Sequence, residues 1–87
     1  MRYRHNNFGT CSSAVEFDLN NGVVTNVEFF GGCNGNLKAI SKLVNGMRAD
    51  EIVRKLLGNS CGAKQTSCAD QLAKAIMLAV AKEQGQV

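Results

Sequence analysis

Ser13-Ala14-Val15-Glu16-Phe17-Asp18-Leu19-Asn20-Asn21-Gly22-Val23-Val24-Thr25-Asn26-Val27-Glu28-Phe29-Phe30 decides the fold class of this chain. Over residues 13–19 Val15, Phe17 and Leu19 alternate with Glu16 and Asp18, the period of a strand with one buried face. Val23–Phe30 alternates as well, with Val23, Thr25, Val27 and Phe29 on the matching face. Between the two runs lies Asn20-Asn21-Gly22. A two-residue Asn21-Gly22 turn would set Leu19 opposite Val24 and Phe17 opposite Asn26, which mixes the faces. The alternation therefore predicts a three-residue loop that pairs Leu19 with Val23, Phe17 with Thr25 and Val15 with Val27, Gly22 taking the left-handed position.

Outward from this hairpin, residues 3–6 read as a short edge strand with Met1, Tyr3 and His5 on one face. After Gly31-Gly32 the period changes to that of a helix, with Leu37, Ile40, Leu43 and Val44 on one stripe and Asn45-Gly46 as its end. A second helix is expected over residues 49–57, with Asp50 and Glu51 at its positive end, the stripe Ile52, Val53, Leu56 and Leu57, and Gly58 as its stop. A third is expected over residues 69–83, opened by the capping pattern Ser67-x-x-Asp70 and facing inward through Leu72, Ile76, Ala79 and Val80. Strands first and helices after give an α+β fold: a three-stranded antiparallel sheet, the hairpin plus an N-terminal edge strand, covered on one face by three helices.

The 87 residues fit a single domain, residues 1–87, with a radius of gyration of about 12 Å. A dinucleotide-binding domain, a barrel or a two-lobed enzyme does not fit in that length. The composition, 45% hydrophobic and 20% charged, is that of a globular chain. Ten basic residues against seven acidic ones are scattered, and the few aromatics sit in strand positions. This is the pattern of a solvated surface compatible with an acidic protein partner, not of a nucleic-acid groove. The longest apolar run, near residues 75–81, falls far short of the ~20 residues a membrane span needs. No apolar segment follows the N-terminal charges, so no secretory signal is expected, which implies a reducing cytoplasm. A monomer or weak homodimer fits the ordinary surface composition.

Four cysteines are dense for that compartment. Cys11 precedes the first hairpin strand, and Cys33 lies in Gly31-Gly32-Cys33-Asn34-Gly35-Asn36 before the first helix. Cys61 and Cys68 flank residues 62–67. All four therefore lie at element ends, where loops converge. Helix N-termini favour thiolates, a setting that Cys33 and Cys68 share, and Lys64 is close in sequence to Cys61. Glycines beside Cys33 and Cys61 let the backbone turn tightly. There is no Cys-x-x-Cys pair and hence no two-knuckle zinc ribbon. Three readings remain open: a metal site on Cys11, Cys33, Cys61 and Cys68, a redox set, or cysteines buried as packing. Resting disulfides do not suit a reducing compartment.

His5, the single histidine, is read as an exposed edge-strand residue or a spare ligand. Asp70 is read as a helix-capping carboxylate, or as a ligand or ligand support beside Cys68. No Ser/His/Asp or Cys/His catalytic set and no phosphate loop can be assembled, although the glycines around Cys33 open a helix where backbone N–H groups can take an anion.

The run Cys61-Gly62-Ala63-Lys64-Gln65-Thr66-Ser67-Cys68-Ala69-Asp70-Gln71-Leu72-Ala73, with Gly31-Gly32-Cys33-Asn34-Gly35-Asn36-Leu37 and Gly9-Thr10-Cys11, resembles the TSCPD-domain family in its short stand-alone form, over almost the whole chain. Ala69 stands where the family's eponymous motif has proline, and alanine also suits a helix's first turn. The family is best known at the C-terminal end of adenosylcobalamin-dependent ribonucleotide reductases, so the resemblance implies a link to deoxyribonucleotide synthesis. The reductase's catalytic barrel, radical machinery and nucleotide sites do not fit in 87 residues, which leaves an accessory role, docking or thiol delivery to a larger reductase or other protein partner. The chain is also similar, more distantly, to U-type iron–sulfur cluster scaffold proteins. Cys11, Cys33 and Cys68 match three cysteine positions there, and Cys61 has no firm counterpart. The expectation from all of this is one metal, zinc, on Cys11, Cys33, Cys61 and Cys68. The alternatives are an iron–sulfur cluster on the same cysteines, or a thiol–disulfide reductant using Cys61 and Cys68.

Overall fold

The computed structural model describes residues 1–7, 9–10, 12–32, 34–58 and 66–84. In chain order the elements are β1 (Arg2–Asn6), β2 (Ala14–Asn20), β3 (Val23–Phe30), α1 (Asn34–Val44), β4 (Met47–Arg48), α2 (Ala49–Leu56) and α3 (Cys68–Glu83). Among the described residues the antiparallel sheet has four strands, in the order β1-β2-β3-β4, rather than the expected three. The additional strand is two residues long, pairing Val23 with Arg48 and Val24 with Met47. Gly46, at φ +85°, turns the chain after α1, and its N–H reaches the Val24 carbonyl at 2.7 Å. A two-residue strand carries no period, so alternation could not reveal it.

The β2–β3 hairpin corrects the expected register. Asn21 and Gly22 both have positive φ, 53° and 78°, which is the two-residue turn, with Asn20 opposite Val23 and Leu19 opposite Val24. The faces do not mix because a bulge resets them. Glu16 lies opposite Glu28 and Asp18 opposite Thr25, so Asn26 and Val27 together stand against Phe17, with Asn26 at φ +53°. Val24 thus joins Leu19 in the core, and beyond the bulge Val27 and Phe29 join Phe17 and Val15. Val23 and Thr25, expected on the inner face, stand on the other side.

The Asn26 N–H is held by Asn45 Oδ1 at 3.0 Å, and its side-chain amide donates to Asp18 at 2.9 Å. Asn26→Ala keeps a left-handed backbone without that amide and is expected to lose about 1–2 kcal/mol. Asn26→Gly is expected to lose less, because glycine adopts the conformation without strain. Urea denaturation of both variants checks this order.

All three helices pack on the inner face of the sheet. Val15, Phe17, Leu19 and Val24 meet Ile52 of α2 and Leu72 and Ile76 of α3, all essentially inaccessible, and each such side chain contributes about 1.5–3 kcal/mol by burial. Ala75 and Ala79 keep α3 close to its neighbours. Tyr3 packs against the same core, as the parity of β1 requires. The outer face is charged: Arg2 pairs with Glu16, Asp18 and Glu28, and Arg4 pairs with Glu16 and lies over the Phe30 ring.

Helix ends fall within one residue of expectation, and Gly58, at φ +85°, stops α2. Leu43 departs from its expected stripe and is 76% exposed. It lies about 120° around α1 from Leu37, so the helix buries Leu37 and Val44 and turns Leu43 to solvent. Leu57, just past α2, is also exposed. Among the described residues no helix is long and apolar enough to cross a membrane.

Candidate functional site

The first turn of α3 is where chemistry gathers. Ser67 has extended backbone and its Oγ accepts the Asp70 N–H at 3.1 Å, which satisfies one of the donors a helix start leaves open. That half of the capping pattern is as the sequence predicts. The Asp70 carboxylate reaches well beyond its own helix. It is 2% exposed, and Oδ1 accepts the Gly58 N–H at 2.7 Å, while Oδ2 accepts the Thr66 hydroxyl and pairs with the Lys74 ammonium at 3.2 Å. The Thr66 hydroxyl, then the Gly58 N–H and Lys74, outweigh burial and hold the Asp70 carboxyl below the usual carboxylate value. Asp70 therefore braces the end of α2 and the start of α3, the two described anchors of residues 59–65.

Gln71 extends the network. Its Nε2 donates to Thr66 Oγ1 at 3.1 Å, which turns its Oε1 toward His5 Nε2, also at 3.1 Å. That acceptor calls for the proton on His5 Nε2. His5 is half-buried rather than exposed, and it ties β1 to the α3 motif through a glutamine.

Cys68 is the first residue of α3 and is 8% exposed. Its Sγ lies 2.9 Å from Oγ of Ser12, itself 2% exposed, and Asn7 Nδ2 donates to the same Oγ at 2.8 Å. The segment around Ser12 is pinned on both sides. The Thr10 hydroxyl donates to the Ser12 carbonyl, and the Asn7 N–H donates to the Ser13 carbonyl, each at 2.9 Å. Gly9, at φ +72°, passes so close that a Cβ there would lie 3.2 Å from Thr66 Cγ2. The Ser13 N–H reaches the Phe30 carbonyl at 2.8 Å, just before the left-handed Gly31 and Gly32.

Of the predicted site residues, Cys68, Asp70 and His5 are described, and Cys11, Cys33 and Cys61 lie outside the described residues. Among the described residues no three His, Cys, Asp or Glu side chains come together. Two described neighbours of these segments reach the α3 turn, Ser12 at Cys68 and Gly58 at Asp70, and Ser13 is hydrogen-bonded to Phe30 at the end of β3. Ser12, Asn7 and Gln71 were missed by sequence reasoning, since nothing in a serine, an asparagine or a glutamine there signals burial.

A comparison with curated proteins and one with solved structures each find no match. The family model for the TSCPD domain matches residues 1–80, which take in β1 through most of α3 and every one of the site residues above. The capped and braced turn Thr66-Ser67-Cys68-Ala69-Asp70 is the family's eponymous motif with alanine at its fourth position, and this chain belongs to the TSCPD-domain family.

Proposed function

We propose that this domain is a small metal-binding module, carrying zinc on Cys11, Cys33, Cys61 and Cys68, that serves ribonucleotide reduction as an accessory and not as the catalyst. One observation carries the reading. Ser12, next to Cys11, and Gly58, at the end of α2 before Cys61, are hydrogen-bonded to the α3 turn that holds Cys68, and Phe30, at the end of β3 before Cys33, is hydrogen-bonded to Ser13. The donor chemistry fits, because four thiolates suit a closed tetrahedral zinc site. Asp70 and His5 act as supports in this reading, since both carboxylate oxygens and His5 Nε2 already have partners. When bound, the metal would supply a cross-link among the four cysteines. The protein's own residues supply the hydrogen-bonded turn that carries Cys68.

The association of this family with adenosylcobalamin-dependent reductases supports a larger reductase as partner, in a reducing cytoplasm, with the domain monomeric or weakly dimeric and not bound to nucleic acid. Elemental analysis of anaerobically purified protein, with thiols counted before and after chelation, tests the metal. One zinc per chain, with thiols reactive only after chelation, is expected. Iron with acid-labile sulfide would replace zinc by an iron–sulfur cluster and the module by a carrier. Absence of metal with four reactive thiols would overturn both and leave a reductant based on Cys61 and Cys68.

A further inference from the structure

We infer that Ser12, oriented by Asn7, is a positioning residue that donates its hydroxyl proton to the Cys68 sulfur and fixes that sulfur as a ligand. This rests on the metal reading above. The argument is one of hydrogen-bond satisfaction. A serine hydroxyl has one hydrogen to give and two lone pairs to fill. Asn7 Nδ2 can only donate, so it fills one lone pair of Ser12 Oγ, at 2.8 Å. The hydroxyl is buried, and among the described residues the other group in contact with it is Cys68 Sγ at 2.9 Å. The Ser12 hydrogen therefore points to sulfur.

Reversing the Asn7 amide would let Ser12 donate to Asn7 instead. It would also put the amide N–H pair where Asn7 Oδ1 now sits, buried and, among the described residues, without a partner. An unpaired buried N–H is less tolerated than an under-used carbonyl oxygen, which favours the orientation with Nδ2 on Ser12. The result is a relay, Asn7 to Ser12 to Cys68, that runs toward the sulfur from residues on both sides of position 11. A donor aimed at a ligand sulfur restricts its rotation and orients its remaining lone pairs.

Zinc affinity by chelator competition, together with the absorption of the cobalt-substituted protein, tests the relay in the full chain. Ser12→Ala is expected to weaken zinc by about 10–100-fold. It is also expected to move the sulfur-to-cobalt charge-transfer band to lower energy, because the sulfur lone pair is no longer stabilised by a donor. Ser12→Thr, which keeps the hydroxyl, restores both readouts, and Asn7→Ala gives a smaller change of the same sign. An Ala variant that folds like the parent, with unchanged affinity and an unmoved band, overturns the inference and leaves the zinc reading intact. If the parent takes up neither zinc nor cobalt, the metal reading falls. The relay, which rests on that reading, falls with it.

Discussion

With zinc bound as proposed, chelating it would be expected to abolish the cooperative folding of this domain at room temperature, and returning zinc to restore it. Cysteine-rich structural zinc sites carry about 10–16 kcal/mol of apparent binding free energy. Whole domains are stable by only about 5–15 kcal/mol, and one of this size sits at the low end. The hydrophobic core around Phe17, Leu19, Ile52, Leu72 and Ile76 is one layer thick. The proposed metal would tie positions 11, before β2, 33, between β3 and α1, and 61, between α2 and α3, to Cys68 of α3, so its loss would release all of these joins together. Thermal melts followed by circular dichroism, with and without a strong chelator, measure this directly. A melt that does not move on full removal of the metal would leave the ion with no structural role.

Much of the fold was legible because local patterns were strong. Val15, Phe17 and Leu19 alternate cleanly and are all buried, and Gly58 stops α2 where its stripe ends. The hairpin register was not legible from alternation alone. The expected three-residue loop assumed uninterrupted strands, whereas β3 carries a bulge at Asn26, held by Asp18 and by Asn45 from beyond α1. With hindsight the conflict was itself a signal. A strong Asn21-Gly22 turn that disagrees with strand parity calls for a bulge, and Asn26 is the residue in β3 that best tolerates positive φ.

The site divides in the same way. The place of Cys68 at the start of α3 and the Ser67 cap follow from local sequence, since a cap acts within one turn. What Asp70, Gln71 and Ser12 do depends on Gly58, His5 and Asn7, 5 to 66 residues away in the chain. No periodicity reports contacts of that range. Short polar side chains read as surface until the fold closes over them, and Ser12 shows how completely that reading can fail.

Asp70→Ala is expected to be as damaging as truncating a fully buried core side chain such as Leu72 or Ile76. It strips the acceptor from the Gly58 N–H, the Thr66 hydroxyl and the Lys74 ammonium at once, in a buried position, for a loss of about 3–5 kcal/mol. Asp70→Asn keeps the shape and one acceptor oxygen and is expected to lose less. Its pH dependence identifies the carboxylate as the cause. Because the folded carboxyl titrates below its unfolded value of about 3.9, its stabilisation is complete above about pH 5 and is lost as pH falls through the folded value. The urea midpoints of the parent and Asp70→Asn should therefore converge as pH drops from 7 to 3, although Glu16, Asp18 and Asp50, also held low, tilt both curves alike. A gap that stays constant over that range would mean the charge contributes nothing and only the shape of the side chain matters. Asp70 holds Gly58 and Thr66, so with zinc bound as proposed the same variant should also weaken it without altering any sulfur. The motif's aspartate would then stand as the brace that turns a helix start into a place where distant cysteines can meet.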